Sequence, residues 1–438
     1  MMERIIFAGG GTGGHLFPGI AVMEELRRRE PDLGVLFVGT ARGIETKVVP
    51  QLGERLVCLD VTPLKGRSPT QLVKSLAALP SAGLEAARII QQFRPSLVLG
   101  VGGYAAGPMV LAARALGVPT ALLEQNAHVG LTNRLLARVV DRAYLSFQET
   151  AAQFPTRAAR VFGNPVRRSF VGVGRMARVD PLGFEMRARR ILVIGGSQGA
   201  KVLNERVPEA LARAGLADRS IEIVHQAGHA MCDSVRAHYE RLGLTATVTP
   251  FIDDMARAYA SAALVIGRAG ATSLAEICAV GRPSLLIPFP HAADDHQWHN
   301  ARALQERGAA IAVREESLTV ESLAGEVSSL LNNPERRRAM AEAARGLGHP
   351  DAAASIVDDL CEWLGCASND ELGTDPKLEA PADQTAPTVT ESRADSEGSF
   401  PPDAEQRRAM ARKRTRRRSL AWSHTDLYYG TRAIAALE

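Results

Sequence analysis

Cysteine is scarce: 438 residues hold five, Cys58, Cys232, Cys278, Cys361 and Cys366, an odd number with no C-x-x-C pair. That excludes a disulfide framework and a zinc site of ordinary spacing, and leaves reduced, mostly buried thiols. No stretch supplies the ~20 uninterrupted apolar residues of a membrane span. The longest, near 105–123, is broken by Gly107, Pro108, Arg114, Gly117 and Pro119. The N-terminus places Glu3 and Arg4 before a short apolar run, without the length or cleavage pattern of a secretory signal, so the protein is expected to stay in the cytoplasm. D-x-D is absent as well, and the adjacent pairs Asp253-Asp254 and Asp294-Asp295 point their side chains apart in most backbones. Metal-free chemistry without a cofactor is therefore expected. Net charge is only +4, and with 46% hydrophobic and 23% charged residues the chain reads as soluble and globular, of two domains or more.

What is present is a repeated pattern of short apolar runs separated by helix-length amphipathic stretches. RIIFAG (4–9), VLFVG (35–39), LVLGV (97–101) and TALL (120–123) form one series. ILVIGG, IEIVHQAG (221–228), ATVTPFI (246–252), ALVIGRAG (263–270) and PSLLIPFP (283–290) form a second. Runs without a polar side, alternating with amphipathic segments, predict parallel strands covered on both faces, hence two similar α/β domains. The boundaries expected are 1–163, 164–345, a closing helix within 346–366 and a tail over 367–438. The tail is rich in Asp, Glu, Pro, Ser and Thr, then carries eight basic residues in 407–418, and is expected to be disordered.

Each series opens with a glycine loop. In GGGTGGH (9–15), Gly9, Gly11 and Gly14 satisfy G-x-G-x-x-G after a strand, a weak dinucleotide signal on its own. A nicotinamide enzyme also wants an acidic residue at the end of the second strand, where this chain has Thr40 and Arg42; no Lys-Ser/Thr follows for a Walker loop. The glycines let backbone N–H groups approach a ligand at the positive end of a helix expected to start near Pro18, and His15 beside them is placed to act as a base. In IGGSQGA, Ser197, Gln198 and Gly199 can donate to a diphosphate. GRAGATSLAEICAVGRP adds Thr272, Ser273 and Glu276, and HAADDHQWHNA adds Asp295, His296, Gln297, His299 and Asn300. Glu276 serves either its own helix dipole or a ribose diol.

GGGTGGHLFPGIAV, GVGGYAAGP, EQNAHVGLTNRLLA, FGNPVR, GGSQGAKVLNE and GRAGATSLAEICAVGRPSLLIPFPHAADDHQWHNA, in this order, closely resemble the MurG family over roughly residues 4–364. These N-acetylglucosaminyltransferases convert lipid I to lipid II in bacterial cell-wall synthesis. The resemblance implies the GT-B architecture, two Rossmann-like domains facing across a cleft, with UDP-N-acetylglucosamine on the C-terminal domain and the lipid-linked acceptor on the N-terminal one. It places donor contacts on Thr12, Gly13, Gly14, Asn126, Arg167, Ser197, Ile252, Ala271, Thr272, Ser273, Leu274, Ala275, Glu276 and Gln297. Glu276 would hold the ribose hydroxyls, Ser197 would face the phosphates, and His15 matches the proposed general base, with Glu124 and Asn126 beside it. Where the family often reads H-E-Q-N this chain has Leu123 before Glu124, so a second-histidine mechanism loses its residue, and His128 need not replace it.

Lipid I as acceptor implies a peripheral enzyme on the cytoplasmic face of an anionic membrane surface, working beside other cell-wall synthesis proteins, with no specific nucleic acid. Segment 64–94 mixes Lys65, Arg67, Lys74, Arg88 and Arg94 with Leu72, Leu76 and Leu79, which suits either a lipid-facing surface or an ordinary packed helix. Two other readings stay open at this point. Another GT-B transferase would share the loops without all six motifs, and a noncatalytic nucleotide-binding protein would be expected to lose His15 or Glu276.

Overall fold

A computed structural model describes residues 2–61, 79–155, 157–181, 189–196, 198–216 and 221–365. Ser197, Cys366, the basic and apolar residues of 64–78, the side chain of Leu79 and the 367–438 tail lie outside the described residues. Seven strands, β1 (Arg4–Gly9), β2 (Gly34–Gly39), β3 (Arg55–Cys58), β4 (Leu97–Gly102), β5 (Thr120–Glu124), β6 (Arg142–Leu145) and β7 (Ala159–Val161), form a first sheet in the order 3-2-1-4-5-6-7. β8 (Arg190–Ile194), β9 (Glu222–Gln226), β10 (Ala246–Thr249), β11 (Ala262–Gly267), β12 (Ser284–Leu286) and β13 (Ile311–Ala312) form a second in the order 10-9-8-11-12-13. Every pairing is parallel. The expected pair of Rossmann-like sheets is therefore what the chain builds.

The apolar runs explain the burial. Ile5, Ile6, Phe7 and Ala8 of β1 are fully buried, and successive side chains feed opposite faces of the sheet: Ile5 and Phe7 join one core cluster, Ile6 and Ala8 the other. The second sheet is sandwiched in the same way, with Ile191 and Val193 on one side and Leu192 and Ile194 on the other.

In each sheet the strand order reverses beside the first strand of its series, between β1 and β4 and between β8 and β11. At such a switch point the two following loops diverge to opposite faces and leave a crevice at the carboxyl ends of the strands. The loops there are 9–12 and 102–105 in the first sheet, 195–200 and 268–270 in the second. The glycine-rich motifs thus fall where an open α/β sheet binds ligands.

The chain crosses between the halves twice. Helix Arg168–Val179 follows the first sheet but buries Phe170 and Ala177 in the second sheet's core. Helix Ala352–Leu364 returns to the first sheet, burying Ile356, Val357 and Leu360 against Ile20, Met23 and Tyr144 of that core. Arg142 and Arg160 bond the Asp359 carboxylate at 3.3 and 3.1 Å, and the Tyr144 hydroxyl donates to it at 2.7 Å. Among the described residues no helix is long and apolar enough to cross a membrane.

Candidate active site

The opening loop is held from the neighbouring strand. Gly9 has φ +128°, and a Cβ there would lie 1.9 Å from the Gly102 carbonyl oxygen, so glycine is required by both conformation and space. Gly10 N–H donates to that oxygen at 2.9 Å. The helix that follows runs Gly13–Arg29, starting at Gly13 and not near Pro18, so His15 lies in its first turn. Half-buried, the His15 ring rests on the β4 end, where a Cβ on Gly102 would come within 2.6 Å of it. Its Nδ1 is 3.3 Å from Thr12 Oγ1. Burial pushes the imidazole below the usual histidine range, a hydrogen bond to the Gly10 carbonyl opposes that, His296 adds to it, and Glu45 opposes it. A histidine neutral at neutral pH is in the form a general base requires.

Pro18 has a separate consequence. It lacks the N–H that would bond the carbonyl four residues back, so the Gly14 oxygen loses its usual helical partner. Thr272, in the first turn of helix Ala271–Val280, donates its hydroxyl to that oxygen at 3.1 Å across the cleft. Gly14 therefore meets Thr272 of the stretch Ala271–Glu276 directly. Neither helix has an acidic residue in its first turn or a side-chain cap at its N-terminus, which leaves two positive helix ends converging on one space.

A second bridge joins the EQN loop to helix His296–Gln305. Asn300, fully buried, accepts from Ala127 N–H at 2.8 Å and donates through Nδ2 to Asn126 Oδ1 at 3.2 Å and to the Ala269 carbonyl at 3.3 Å. His128 and His299 stack beside it with centroids 5.5 Å apart. Glu124 is 2% exposed and accepts from Asn126 N–H, Asn126 Nδ2, Gly130 N–H and Asn133 Nδ2 at 3.0 to 3.3 Å. Both oxygens are committed to its own loop, where they hold Asn126 in place. Leu123, where the family often carries a histidine, is buried in the first core.

In the second half, Glu276 is 5% exposed and pairs with Arg167 Nη2 at 3.1 Å. Burial pushes its carboxyl up to about 7 even though Arg167 pulls it down. Arg167 itself lies over the rings of Phe17 and Phe170, 5.0 and 5.3 Å from their centroids, so one guanidinium touches an element of each half. Gln297 Oε1 accepts from Ala269 N–H at 3.2 Å and Phe289 N–H at 3.0 Å, which fixes the amide and presents Nε2 as the donor. It follows Asp294 and Asp295, both left-handed at φ +54° and +52°, a strained entry of about 1–3 kcal/mol per residue that sets where the helix begins. Ile252 is half-buried against the second core, and Leu274 is buried in it, so Leu274 has only its backbone to offer a ligand. Asp254 caps helix Met255–Ala260 through Arg257 N–H at 3.0 Å, and Asp295 bonds Arg314 at 2.9 Å. In the 195–200 loop, Gln226 Nε2 donates to the Gly196 carbonyl at 2.7 Å.

Sequence reasoning missed Glu45 and passed over the bridging part of Asn300. Glu45 is fully buried and accepts from Gly11 N–H at 2.7 Å and from Thr40 N–H at 2.9 Å. The acidic residue sought at the end of β2 does exist, five positions beyond Thr40, but it binds the glycine loop.

Comparison with known proteins agrees with this geometry. The glycosyltransferase family 28 N-terminal domain matches residues 5–145 and the family 28 C-terminal domain matches residues 190–356. The chain is 47% identical over 364 residues to the UDP-N-acetylglucosamine–N-acetylmuramyl-(pentapeptide) pyrophosphoryl-undecaprenol N-acetylglucosamine transferase of Syntrophus aciditrophicus, covering 83% of this chain and 99% of that protein. It is 49% identical over 361 residues to the protein of the same name from Anaeromyxobacter dehalogenans, covering 82% and 93%. The crystal structure of Acinetobacter baumannii MurG superposes with a TM-score of 0.67 at 32% identity, covering 82% of this chain and 99% of that one. A UDP-GlcNAc 2-epimerase from Neisseria meningitidis, bound to UDP-GlcNAc, shares the fold alone, with a TM-score of 0.57 at 14% identity over 83% and 100% of the chains. Two facing Rossmann-like sheets, the converging glycine loops and these matches together place the chain in glycosyltransferase family 28, among the N-acetylglucosamine transferases of the MurG family.

Proposed function

We propose that this glycosyltransferase moves N-acetylglucosamine from UDP-N-acetylglucosamine to the 4-hydroxyl of the muramyl sugar in undecaprenyl-diphospho-MurNAc-pentapeptide, by a single inverting displacement. The observation that carries the reading is the meeting of His15's helix turn with the Ala271–Val280 N-terminus through Thr272 and Gly14. A proton acceptor and a phosphate-favouring helix end then border the same space. The donor's ribose hydroxyls bond Glu276, its diphosphate lies against that helix end, and Gln297 Nε2 donates to the sugar. His15 takes the proton of the attacking hydroxyl as the new C–O bond forms. The bond from the anomeric carbon to the diphosphate breaks, and UDP leaves with the electron pair toward the helix dipole. Thr12, Gly13 and Asn126 border the reacting sugar.

His15→Ala, assayed by UDP release with a lipid I analogue, is expected to lower kcat by about 10² to 10⁴-fold, the usual worth of general-base help. UDP-N-acetylglucosamine affinity should stay within a few-fold. Near-native turnover would remove His15 from this role.

The acceptor reading extends to a peripheral position on an anionic membrane surface. Exposed Leu84, Leu111, Leu131 and Leu135 lie on three neighbouring helices of the first half, Leu79–Phe93, Ala106–Ala115 and Leu131–Leu136. Exposed Arg88, Arg114 and Arg134 lie on the same helices, and apolar side chains among cations suit an anionic interface.

A further inference from the structure

We propose that Glu45 is a positioning residue for the transfer, coupled to His15 through the one peptide group that joins Gly10 to Gly11. The proposal rests on the reading of His15 as the base. The His15 ring packs on Gly102, whose carbonyl holds Gly10 N–H at 2.9 Å, and the Gly10 carbonyl raises the proton affinity of the ring; the N–H of the same peptide unit, on Gly11, donates to Glu45 Oε2 at 2.7 Å. Imidazole, peptide and carboxylate thus lie in series between two helices. Glu45 Oε1 accepts from Thr40 N–H at 2.9 Å and from Thr40 Oγ1 at 3.1 Å, so the three recorded bonds all come from donors, which fits an ionised carboxylate.

The fold reserves space for this group. A Cβ on Gly39, Gly10 or Gly43 would lie 2.6, 2.7 or 2.0 Å from Glu45 side-chain atoms, so three glycines form its cradle. Glu45 is fully buried and makes no ion pair with lysine or arginine among the described residues. A buried carboxylate without a cation is costly unless it is well hydrogen-bonded and its charge is used. The charge it can serve is on His15. Of the titratable groups around the pair, His296 faces His15 from the second half and disfavours its protonation, whereas Glu45 favours it. Cys58 of β3 lies near Glu45, and its thiol is pushed up by burial first and by that carboxylate second.

Two effects follow. A carbonyl can only accept, so a ring nitrogen facing the Gly10 carbonyl carries the proton and the other is the one able to take a second, with Thr12 Oγ1 3.3 Å from Nδ1. When His15 takes the hydroxyl proton, the peptide dipole and the carboxylate behind it are already oriented toward the positive charge that forms.

The test is an NMR titration of the His15 ring in the full chain, assigned by comparison with His15→Ala, on wild type and Glu45→Gln, alongside pH profiles of kcat/KM. Glu45→Gln should lower the His15 midpoint by about one pH unit, equivalent to a tenfold change in proton affinity. It should move the acidic limb of kcat/KM to lower pH by the same amount and reduce the plateau several-fold. An unchanged midpoint in a folded variant that binds UDP-N-acetylglucosamine normally overturns the coupling. A shifted midpoint with an unmoved rate limb keeps the coupling and removes His15 as the base. If Glu45→Gln does not fold, Glu45→Asp keeps the charge but retracts it from Gly11; the coupling then requires a smaller downward shift, and no shift overturns it.

Discussion

Replacing Asn300 with alanine separates closure of the cleft from folding of either half. Its side chain bonds Ala127 N–H at 2.8 Å, Asn126 Oδ1 at 3.2 Å and the Ala269 carbonyl at 3.3 Å, so the first two reach the first half and the third its own. A typical hydrogen bond contributes about 1 kcal/mol net and a longer one less, so the two that cross favour the closed arrangement by about 1.5 kcal/mol, while the third is made in either arrangement. If the cleft opens, water satisfies the abandoned groups, and the cost falls on closure more than on stability. About 1.5 kcal/mol corresponds to a roughly tenfold loss in kcat/KM. Steady-state UDP release, equilibrium binding of UDP-N-acetylglucosamine and a thermal melt should be run on the same preparation. The expected pattern is a loss of that size with donor affinity within threefold and a melting temperature lowered by only a few degrees. A kcat/KM within twofold of wild type refutes the bridge, as does a loss that merely tracks unfolding.

Two further expectations concern the donor and the membrane. Glu276 titrates near 7 because burial disfavours its charge, so the folded state holds a proton that the unfolded state has released above about 4.5. Folding stability should therefore fall as pH rises from about 4.5 to 7, by up to about 1.4 kcal/mol per unit. Donor binding should run the other way, since a ribose diol needs the ionised acceptor: affinity for UDP-N-acetylglucosamine, whose diphosphate diester does not titrate there, rises about tenfold per unit up to pH 7 and then levels. Glu276→Gln should remove that slope, and a wild-type affinity flat from pH 5 to 8 would show that Glu276 does not hold the ribose. For the membrane, Leu84→Glu combined with Leu135→Glu should cut co-sedimentation with anionic vesicles at least tenfold while leaving donor affinity unchanged. Undiminished binding, with a chain ending at residue 366 run in parallel, would assign attachment to the tail.

The glycine loops were legible because a backbone that must approach a neighbour or a ligand excludes every side chain, and the apolar runs around them were legible because both faces of a parallel sheet are covered. The strands that escaped notice were the short or half-exposed ones: β3 (RLVC), β6 (RAYL), β7 (ARV) and β13 (IA). Pro18 misled for a physical reason. Proline favours the first helical turn, but Gly13–Arg29 carries it inside, and the carbonyl it frees is used across the cleft by Thr272. Glu124 was legible as important and not as to its part, because whether a carboxylate reacts or holds a loop depends on which donors surround it.

The sequence by itself determined two parallel α/β halves, the position of the ligand loops at the carboxyl ends of their first strands, and the family to which the motifs belong. The first two follow from local periodicity and from glycine sterics, which act between near neighbours in the chain, and the third from the resemblance of the motifs. Tertiary structure decided the rest. It placed Asn300 against residues 173 and 174 positions away, Thr272 against Gly14 across 258, Glu45 behind the loop that carries His15, and the last helix on the first sheet. Such contacts depend on strand order and on the two crossings of the chain, and pairs so far apart leave no periodic trace in one sequence.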